Sequence, residues 1–411
     1  MATKTLRRTR IALIAALCVG YVASQFYRTA NAAIAPELMR ELALSPQAMG
    51  AITGLFFLVF AAMQIPAGVL LDRFGPRRVM SGLLLAAVAG ALVFAAADGA
   101  PGLALGRGLM GAGCAVGLMG SMVVFARWFP QRHFATLAAV IFAFGGAGNV
   151  LATTPLAVAS AAIGWRATFV AAAAITLAMA VLLYLVLRDR PPGDATAAPD
   201  AETPRQIVAG LGRVLRDRRI WYISAMQAVA YPVIVTISAL WAGPYLDAVY
   251  GLDAVGRGNV LLALNLAMIL GVLACGPLDR LFDSRKWVVV AGAAATVLVL
   301  GVLAAVPRWP LWQVVALLLL LMALGGYQMM LHAHTRAILP DHLVGRGLTV
   351  QNTAVFVGVF ALQWASGWII GLTRGGEPGL PYRIVFAFLA LAALAALLIY
   401  LRIEDAPPSR A

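Results

Sequence analysis

The most restrictive feature of the sequence is a series of apolar runs, each about as long as a membrane is thick. A helix needs about 20 apolar residues to cross the hydrocarbon core, and such runs recur from Ile11 to Leu401 with only short polar interruptions. Lipid offers the backbone no hydrogen-bond partners, so a chain of this kind crosses it as helices. We therefore predict an all-α membrane protein and exclude a soluble enzyme with a single anchor.

Twelve such runs are predicted, and we number them as spans one to twelve. They cover approximately residues 11–34, 47–71, 79–97, 102–126, 134–162, 166–187, 221–245, 256–278, 287–306, 311–333, 347–373 and 384–401.

The longest polar segment separates span six from span seven. We therefore divide the chain into a six-helix half at 1–187, a cytoplasmic linker at 188–220 and a second six-helix half at 221–411. Within the linker, the basic amphipathic stretch 206–219 predicts a helix on the inner membrane face, where basic residues meet anionic lipid. Two six-helix halves indicate an internal repeat, which in transporters places the substrate near the bilayer midplane.

The basic residues are concentrated in the loops. The net charge is +14, and 23 of the 31 Lys and Arg residues fall in segments that are cytoplasmic if the N-terminus is inside. Because cytoplasmic loops carry the excess of Lys and Arg, we expect both termini in the cytoplasm and the chain in a bacterial-type inner (plasma) membrane. The charge is then a topology signal, not the basic face of a nucleic-acid binder, and we expect no nucleic-acid partner.

The cysteines give no sign of a metal site. Cys18, Cys114 and Cys275 lie singly inside apolar runs, without the spacing of metal ligands. We expect neither a bound metal nor a cofactor.

Two loops carry related charged motifs. Residues 68–78 after span two read G-V-L-L-D-R-F-G-P-R-R, and residues 276–286 after span eight read G-P-L-D-R-L-F-D-S-R-K. The first resembles the signature loop of the major facilitator superfamily, and the second resembles a degenerate copy of it. A carboxylate beside arginines at a helix end can form a charge-assisted latch, although ordinary cytoplasmic loop charges are the alternative. The resemblance implies latch residues at Gly68, Asp72, Arg73, Gly75, Arg77, Arg78, Asp279 and Arg280.

Span four contains an arginine within an apolar run. Residues 103–115 resemble a second superfamily pattern, in which Arg107 occupies the position associated with proton coupling. A charge inside a span is costly and by default functional, unless it snorkels to the outer surface. The G-P-x-x-G-G signature of drug exporters is absent from span five, where residues 145–155 read G-G-A-G-N-V-L-A-T-T-P. The resemblance implies a twelve-helix transporter without enzymatic activity.

Span one has a polar stripe at helical spacing, formed by Tyr21, Gln25 and Arg28. Tyr27-Arg28 followed by Pro36 looks like the start of the organic-anion and organophosphate branches of the superfamily, in which the arginine binds the negative group of the substrate. Span seven lacks the basic residue that organophosphate antiporters also use, so the resemblance favours a carboxylate. The alternative is that Arg28 snorkels or neutralises a helix end.

The carboxylates support an anionic substrate. All 17 Asp and Glu residues fall in loops or at span ends, so Arg28 and Arg107 have no carboxylate within the spans, and buried charges need partners. The missing negative charge is expected to arrive with the substrate.

Other polar residues in the spans are candidate substrate ligands, and each could equally hydrogen-bond a neighbouring helix. They are Asn149, Gln227, Tyr231, Asn265, Gln328, Asn352 and Gln363. His332 and His334 are further candidates for proton coupling beside Arg107, because histidine changes charge near physiological pH; the alternative is that they are interfacial.

The function predicted from the sequence is secondary transport of a small organic anion or zwitterion, such as a carboxylate or amino-acid-like compound. We expect proton-coupled uptake by alternating access, by a monomer in the lipid bilayer. Three alternatives stay open at this point: export of a drug or metabolite, import of copper through Met329, Met330 and His332, and a membrane sensor that does not transport.

Overall fold

The computed structural model describes residues 2–130, 133–189, 212–373, 375 and 377–407. Helices are the only regular elements in these ranges. They are α1 (Ala2–Thr29), α2 (Asn31–Glu41), α3 (Pro46–Ala95), α4 (Ala100–Cys114), α5 (Gly117–Trp128), α6 (Phe134–Leu151), α7 (Thr154–Val186), α8 (Arg218–Thr236), a π-helix (Ile237–Trp241), α9 (Ala242–Tyr250), α10 (Ala254–Cys275), α11 (Leu278–Leu281), α12 (Arg285–Ala305), α13 (Leu311–Leu324), a 3₁₀-helix (Gly325–Tyr327), α14 (Gln328–Ile338), α15 (Asp341–Leu372) and α16 (Leu380–Tyr400).

Ten helices in the described residues are long and apolar enough to cross a membrane, and two of them are long enough to cross twice. They are α3, with 50 residues, and the run Thr136–Val186, whose 51 residues join α6 and α7 across a short turn at Ala152 and Thr153. Each is about 75 Å long at 1.5 Å per residue, against a hydrocarbon core of about 30 Å. Each changes direction at a glycine with positive φ, namely Gly75 (78°) and Gly164 (80°). The twelve-helix fold predicted from the sequence is confirmed.

Several spans are interrupted where the sequence predicts one continuous helix. Span one breaks at Ala30 between α1 and α2, and span four breaks between Cys114 and Gly117. Span seven contains the π-helix Ile237–Trp241, and span ten contains the 3₁₀-helix Gly325–Tyr327. Such irregular turns within helices are frequent at functional sites and hinges.

The chain separates into two compact units. The first comprises Met1–Ile34 and Leu55–Ala201, and the second comprises Ala35–Gly54 and Glu202–Ala411. In the first unit, α1 packs against α4, α5, α6 and α7, and Leu13, Leu17 and Tyr27 are completely buried. In the second, α8, α12, α14 and α16 share a core that includes Ile223, Met226, Val289, Leu331 and Tyr400.

The predicted linker lies largely outside the described residues. Residues 190–211 are not among them, and they include the first part of the predicted amphipathic helix. Residues 212–216 are helical, and the Asp217 side chain then caps α8 by accepting from the backbone N–H of Arg219 at 2.9 Å.

Candidate functional site

Arg28 is the cation of the candidate site, and it lies in the last turn of α1 in the first unit. Only 9% of the residue is exposed. Its guanidinium carbon lies over the ring of Phe60 in span two, 5.0 Å from the ring centroid. A ring at this distance attracts a cation through its quadrupole, so an aromatic side chain stabilises the buried charge.

Arg107 is fully buried and supports span one from inside the first unit. Its Nη1 donates to the backbone carbonyl of Tyr27 at 2.6 Å, and its guanidinium carbon lies 4.6 Å from the ring centroid of Phe56. Within the described part of the chain, its Nε and Nη2 have no hydrogen-bond partner. Arg107 therefore holds the carbonyl immediately before Arg28, one turn from the break in span one.

The polar neighbours predicted on span one and span five lie in the same unit. Tyr21 is 4% exposed and packs edge-on against Phe142, with 6.4 Å between ring centroids. Oδ1 of Asn149 accepts from the hydroxyl of Thr29 at 3.3 Å, one residue after Arg28. A Cβ at Gly148 would lie only 2.9 Å from the Cβ of Gln25. The glycines of span five thus let α6 pack closely against the polar stripe of α1.

The polar residues predicted in the second unit are mostly separate from one another. Nε2 of Gln227 donates to the ring of His332, with 3.1 Å between the two Nε2 atoms. Asn265 donates to the carbonyl of Leu261 in its own helix at 2.9 Å. The others differ in burial. Gln328 and Gln363 are buried, and Tyr231 and Asn352 are partly buried.

His334 is held by two hydrogen bonds at the end of α14. Its Nε2 lies 3.1 Å from the backbone carbonyl of Glu404, and its Nδ1 lies 2.7 Å from the hydroxyl of Tyr400. A carbonyl only accepts, so Nε2 donates to it; the tyrosine hydroxyl can donate or accept, so the direction of its bond with Nδ1 depends on the protonation of the ring. These contacts explain the burial of His334 structurally, and its part in proton coupling stays a prediction.

The loop after span two is held by a residue that the sequence did not single out. Asp189, just after span six, accepts from the backbone N–H of Arg77 at 2.8 Å. Nε of Arg77 donates to the carbonyl of Tyr184 at 2.7 Å, and its guanidinium carbon lies 4.4 Å from the Tyr184 ring centroid. Gly75 supplies the turn before these contacts, and Asp72 is exposed. The latch function of this loop stays a prediction.

The second loop repeats this arrangement. Asp405, just after span twelve, accepts from the hydroxyl of Ser284 and from the backbone N–H of Lys286 at 3.0 Å. Burial opposes ionisation of Asp405, but these hydrogen bonds outweigh it and lower the pKa of its carboxyl group. The sequence does contain the signal, because residues 184–189 read Y-L-V-L-R-D and residues 400–405 read Y-L-R-I-E-D.

The structure also reveals an ion cluster that charge counting did not predict. Arg257 is 2% exposed and forms ion pairs with Glu37 and with Asp247, the latter at 2.6 Å. Arg40, which is 65% exposed, lies 3.7 and 3.9 Å from the same two carboxylates. All four residues belong to the second unit.

Twelve membrane crossings, a repeated charged loop and a buried arginine within a span define a polytopic transport protein rather than an enzyme. The chain belongs to the Major Facilitator Superfamily, whose sequence profile matches residues 17–363. Superfamily membership, a multi-pass membrane location and a small-molecule substrate are thereby established.

Three members of the superfamily are similar to this chain in sequence. The probable sulfoacetate transporter SauU of Cupriavidus necator is 23% identical, over 98% of this chain and 97% of the relative. The hexuronate transporter of Escherichia coli is 26% identical over 68% and 69% of the two chains. The membrane sensor protein UhpC of the same species is 24% identical over 67% and 66%.

Solved structures have the same fold. A bacterial homolog of the human lysosomal transporter Spinster, inward-facing and occupied, matches with a TM-score of 0.74 and 18% identity over 95% of this chain and 94% of that chain. A D-xylose–proton symporter matches with a TM-score of 0.72 and 15% identity over 96% and 98%. At these identities the likeness concerns the fold alone.

Proposed function

We propose that this protein is a secondary transporter of small organic anions and that Arg28 binds the negative group of the substrate. The observation that carries the proposal is the environment of Arg28, a guanidinium that is nine-tenths buried within a span and lies over an aromatic ring. A charge inside a span is expensive and is by default a functional residue.

The distribution of charge supports this choice of substrate. Arg28, Arg107 and Arg257 are buried, and every Asp and Glu whose side chain the structure describes is at least partly exposed. The carboxylates of the whole sequence lie in loops or at span ends, so the span interiors carry positive charge. An anion is attracted to such an interior, whereas a cation is repelled.

The geometry of the guanidinium supports an oxyanion with at least two equivalent oxygens. Its N–H groups form a planar fork that matches carboxylate oxygens in a bidentate manner. The names of two relatives point to the same chemistry, since sulfoacetate and hexuronates all carry a carboxylate. Carboxylates and carboxylate-bearing zwitterions are therefore the proposed substrate class.

The proposal extends to coupling and orientation. Protons drive uptake, with Arg107 and His332 as candidate coupling residues, and both termini face the cytoplasm. The protein acts as a monomer. Orientation is tested by protease treatment of sealed right-side-out vesicles, in which the linker at 188–220 stays intact if it is cytoplasmic and is cleaved if it is not.

Reconstituted flux tests the proposal. Proteoliposomes containing the purified protein are supplied with labelled glucuronate, sulfoacetate or xylose, with and without an inside-alkaline pH gradient. We expect at least one of the two anions to enter faster than into empty liposomes, to enter faster still with the gradient, and to exceed the neutral sugar. Equal entry of anions and xylose would contradict an anion transporter.

A membrane sensor is the second candidate, because one relative is named as such. A sensor binds its ligand without moving it. An anion that raises the melting temperature of the purified protein, as a ligand does by mass action, but shows no flux in the same vesicles would support the sensor and reject transport.

A further inference from the structure

Exposed basic residues are concentrated where span seven begins, at an end that the sequence predicts to be cytoplasmic. Residues 213–219 contain four arginines and one aspartate, and the four arginine side chains are all exposed. Arg219 forms an ion pair with Asp217 at 2.7 Å, which balances one of the four charges. Arg213, Arg216 and Arg218 therefore give this surface a positive charge. We call the four arginines together with Trp221 the basic patch.

Two buried side chains fix the short helix at 212–216 to the rest of the second unit. Val214 and Ile220 are completely buried and pack with Leu339 and Leu343, which lie just after α14 and in the first turn of α15. Asp217 then caps α8 by accepting from the backbone N–H of Arg219 at 2.9 Å. Because burial and a helix cap hold this backbone, the arginines project from a preformed surface. Binding a ligand there requires little ordering of the chain.

A tryptophan borders the patch at the level where a membrane surface is expected. Trp221 lies in the first turn of α8, which begins a candidate membrane span at Arg218. It is 54% exposed, and its indole N–H donates to the backbone carbonyl of Leu215 at 2.7 Å. Trp287 is likewise exposed in the first turn of α12, at another end that the sequence predicts to be cytoplasmic. Since tryptophan is enriched at the boundary between lipid and water, the two rings indicate that the patch lies at the level of the lipid headgroups.

The chemistry of the patch matches an anionic phospholipid. A guanidinium presents a planar fork of N–H groups that fits phosphate oxygens, and basic residues next to a span are attracted to anionic lipid. An indole ring is apolar over most of its surface and packs well at the border between headgroup and acyl chain. A zwitterionic lipid also carries a phosphate, but the net positive charge of the patch repels its cationic group. The patch should therefore prefer a lipid with net negative charge.

We propose that the basic patch is a binding site for an anionic phospholipid, whose phosphate is held by the arginines while Trp221 packs against the glycerol backbone and the start of an acyl chain. In the proposed orientation this lipid belongs to the cytoplasmic leaflet. The patch belongs to the second unit, whereas Arg28 belongs to the first. The inference is therefore independent of the substrate that the protein transports.

Lipid binding to the purified full-length protein in detergent tests the site. Native mass spectrometry measures the affinity for phosphatidylglycerol and for phosphatidylcholine with identical acyl chains. We expect phosphatidylglycerol to bind at least about fivefold more tightly. Arg213→Gln/Arg216→Gln should lower the affinity for phosphatidylglycerol about tenfold or more, because each basic residue near the surface adds to the attraction. Equal affinity for the two lipids in wild type would overturn the inference.

A second double variant controls for the loss of net charge. Arg40→Gln/Arg308→Gln removes the same charge from two exposed arginines of the second unit, at span ends that the sequence predicts to lie outside. Exposed charges separated by more than about 8 Å are largely screened at physiological salt, so this variant should bind phosphatidylglycerol as wild type does. Equal losses in the two double variants, or no loss in either, would contradict a site at the basic patch.

Two further arms identify the occupant and serve if the Arg213→Gln/Arg216→Gln variant does not fold. Excess glycerol phosphate, which carries the phosphate without acyl chains, should leave phosphatidylglycerol bound, and full displacement would show that the site takes a soluble anion instead. Raising ammonium acetate from about 50 to about 500 mM should weaken phosphatidylglycerol binding to wild type markedly, since salt screens exposed charges. An affinity that does not change with salt would overturn the inference.

Discussion

Within the described residues, three arginines are buried, and their surroundings differ. Arg257 is paired with two carboxylates, Arg107 is hydrogen-bonded to a backbone carbonyl and lies over Phe56, and Arg28 lies over Phe60. Carboxylates engage both Nη atoms of Arg257, which marks it as a structural cation. Arg28 lies over an aromatic ring, and we propose that the substrate supplies its anionic partner.

At the residue scale, the Arg257 cluster tests whether burial determines how much an ion pair contributes to stability. Removing one member of a buried ion pair leaves uncompensated charge and costs about 3–5 kcal/mol. The loss of unfolding free energy for Arg257→Leu should lie at the lower end of that range, because Glu37 and Asp247 are about one-quarter exposed. Arg40→Leu is the matched control, since Arg40 approaches the same carboxylates from a site that is 65% exposed, and exposed pairs contribute about 0–1 kcal/mol.

The measurement is thermal or denaturant unfolding of the purified variants in detergent. We expect a large loss of stability for Arg257→Leu and a small one for Arg40→Leu. Equal losses would show that burial does not determine the strength of this cluster.

At the scale of elements, single glycines with positive φ form the turns between spans two and three and between spans five and six. Gly75 has φ of 78°, and a Cβ there would lie 2.6–2.8 Å from the carboxylate of Asp189. Gly75→Ala therefore combines a backbone cost of about 1–3 kcal/mol, for a positive-φ conformation that is nearly restricted to glycine, with a collision against the residue that holds the loop. Gly164 has φ of 80°, and no heavy atom lies within 4 Å of a Cβ placed there. Gly164→Ala therefore incurs the backbone cost without a collision.

We expect a graded series of melting temperatures. Gly75→Ala should lower the melting temperature most, and Gly164→Ala should lower it less. Gly82→Ala should leave it unchanged or raise it, because Gly82 lies in a regular helix with open space around a Cβ and alanine is favoured there by about 0.5–1 kcal/mol. An unchanged Gly75→Ala variant would contradict the turn as described.

The contact of Asp405 with the start of α12 predicts a pH dependence at the same scale. Its pKa is below the ordinary value of 3.8, so the ionised carboxylate contributes stability above that pH, and the contribution is lost as the pH falls through the lowered pKa. At pH 7, Asp405→Asn should lower the melting temperature by about 2–4 °C. The difference from wild type should narrow as the pH is lowered below about 4.

Glu404→Gln is the control for this experiment, because it removes the same charge one residue earlier from an exposed side chain. Its melting temperature should follow wild type across the pH series. A constant difference between Asp405→Asn and wild type down to pH 3 would show that the ionised form is not what stabilises the contact.

At the scale of the whole molecule, the sequence predicted the twelve crossings because long apolar runs in lipid permit little besides helices. It did not predict the breaks at Ala30 and after Cys114, since no proline lies at either position. The irregular turns in spans seven and ten depend on packing that a single sequence does not record.

The sequence predicted the polar side chains of the candidate site but not the apolar ones. Arg28 and Arg107 stand out in the sequence because arginine is rare within spans. Phe56 and Phe60 lie in the run G-L-F-F-L-V-F, where a phenylalanine beneath an arginine looks the same as one that faces lipid. Asp189 and Asp405 were counted as loop charges, although their common spacing after a tyrosine indicated a repeated contact.

The central claim is that Arg28 binds the negative group of an organic anion, and affinity for wild type, Arg28→Lys and Arg28→Gln tests it most directly. Lysine keeps the charge but lacks the planar fork, so Arg28→Lys should weaken binding of sulfoacetate or glucuronate about tenfold or more. Arg28→Gln should nearly abolish it. A snorkelling arginine needs only a long stem and a charged head. With expression and thermal stability matched, near-equal affinity of wild type and Arg28→Lys would therefore contradict bidentate anion recognition at this site.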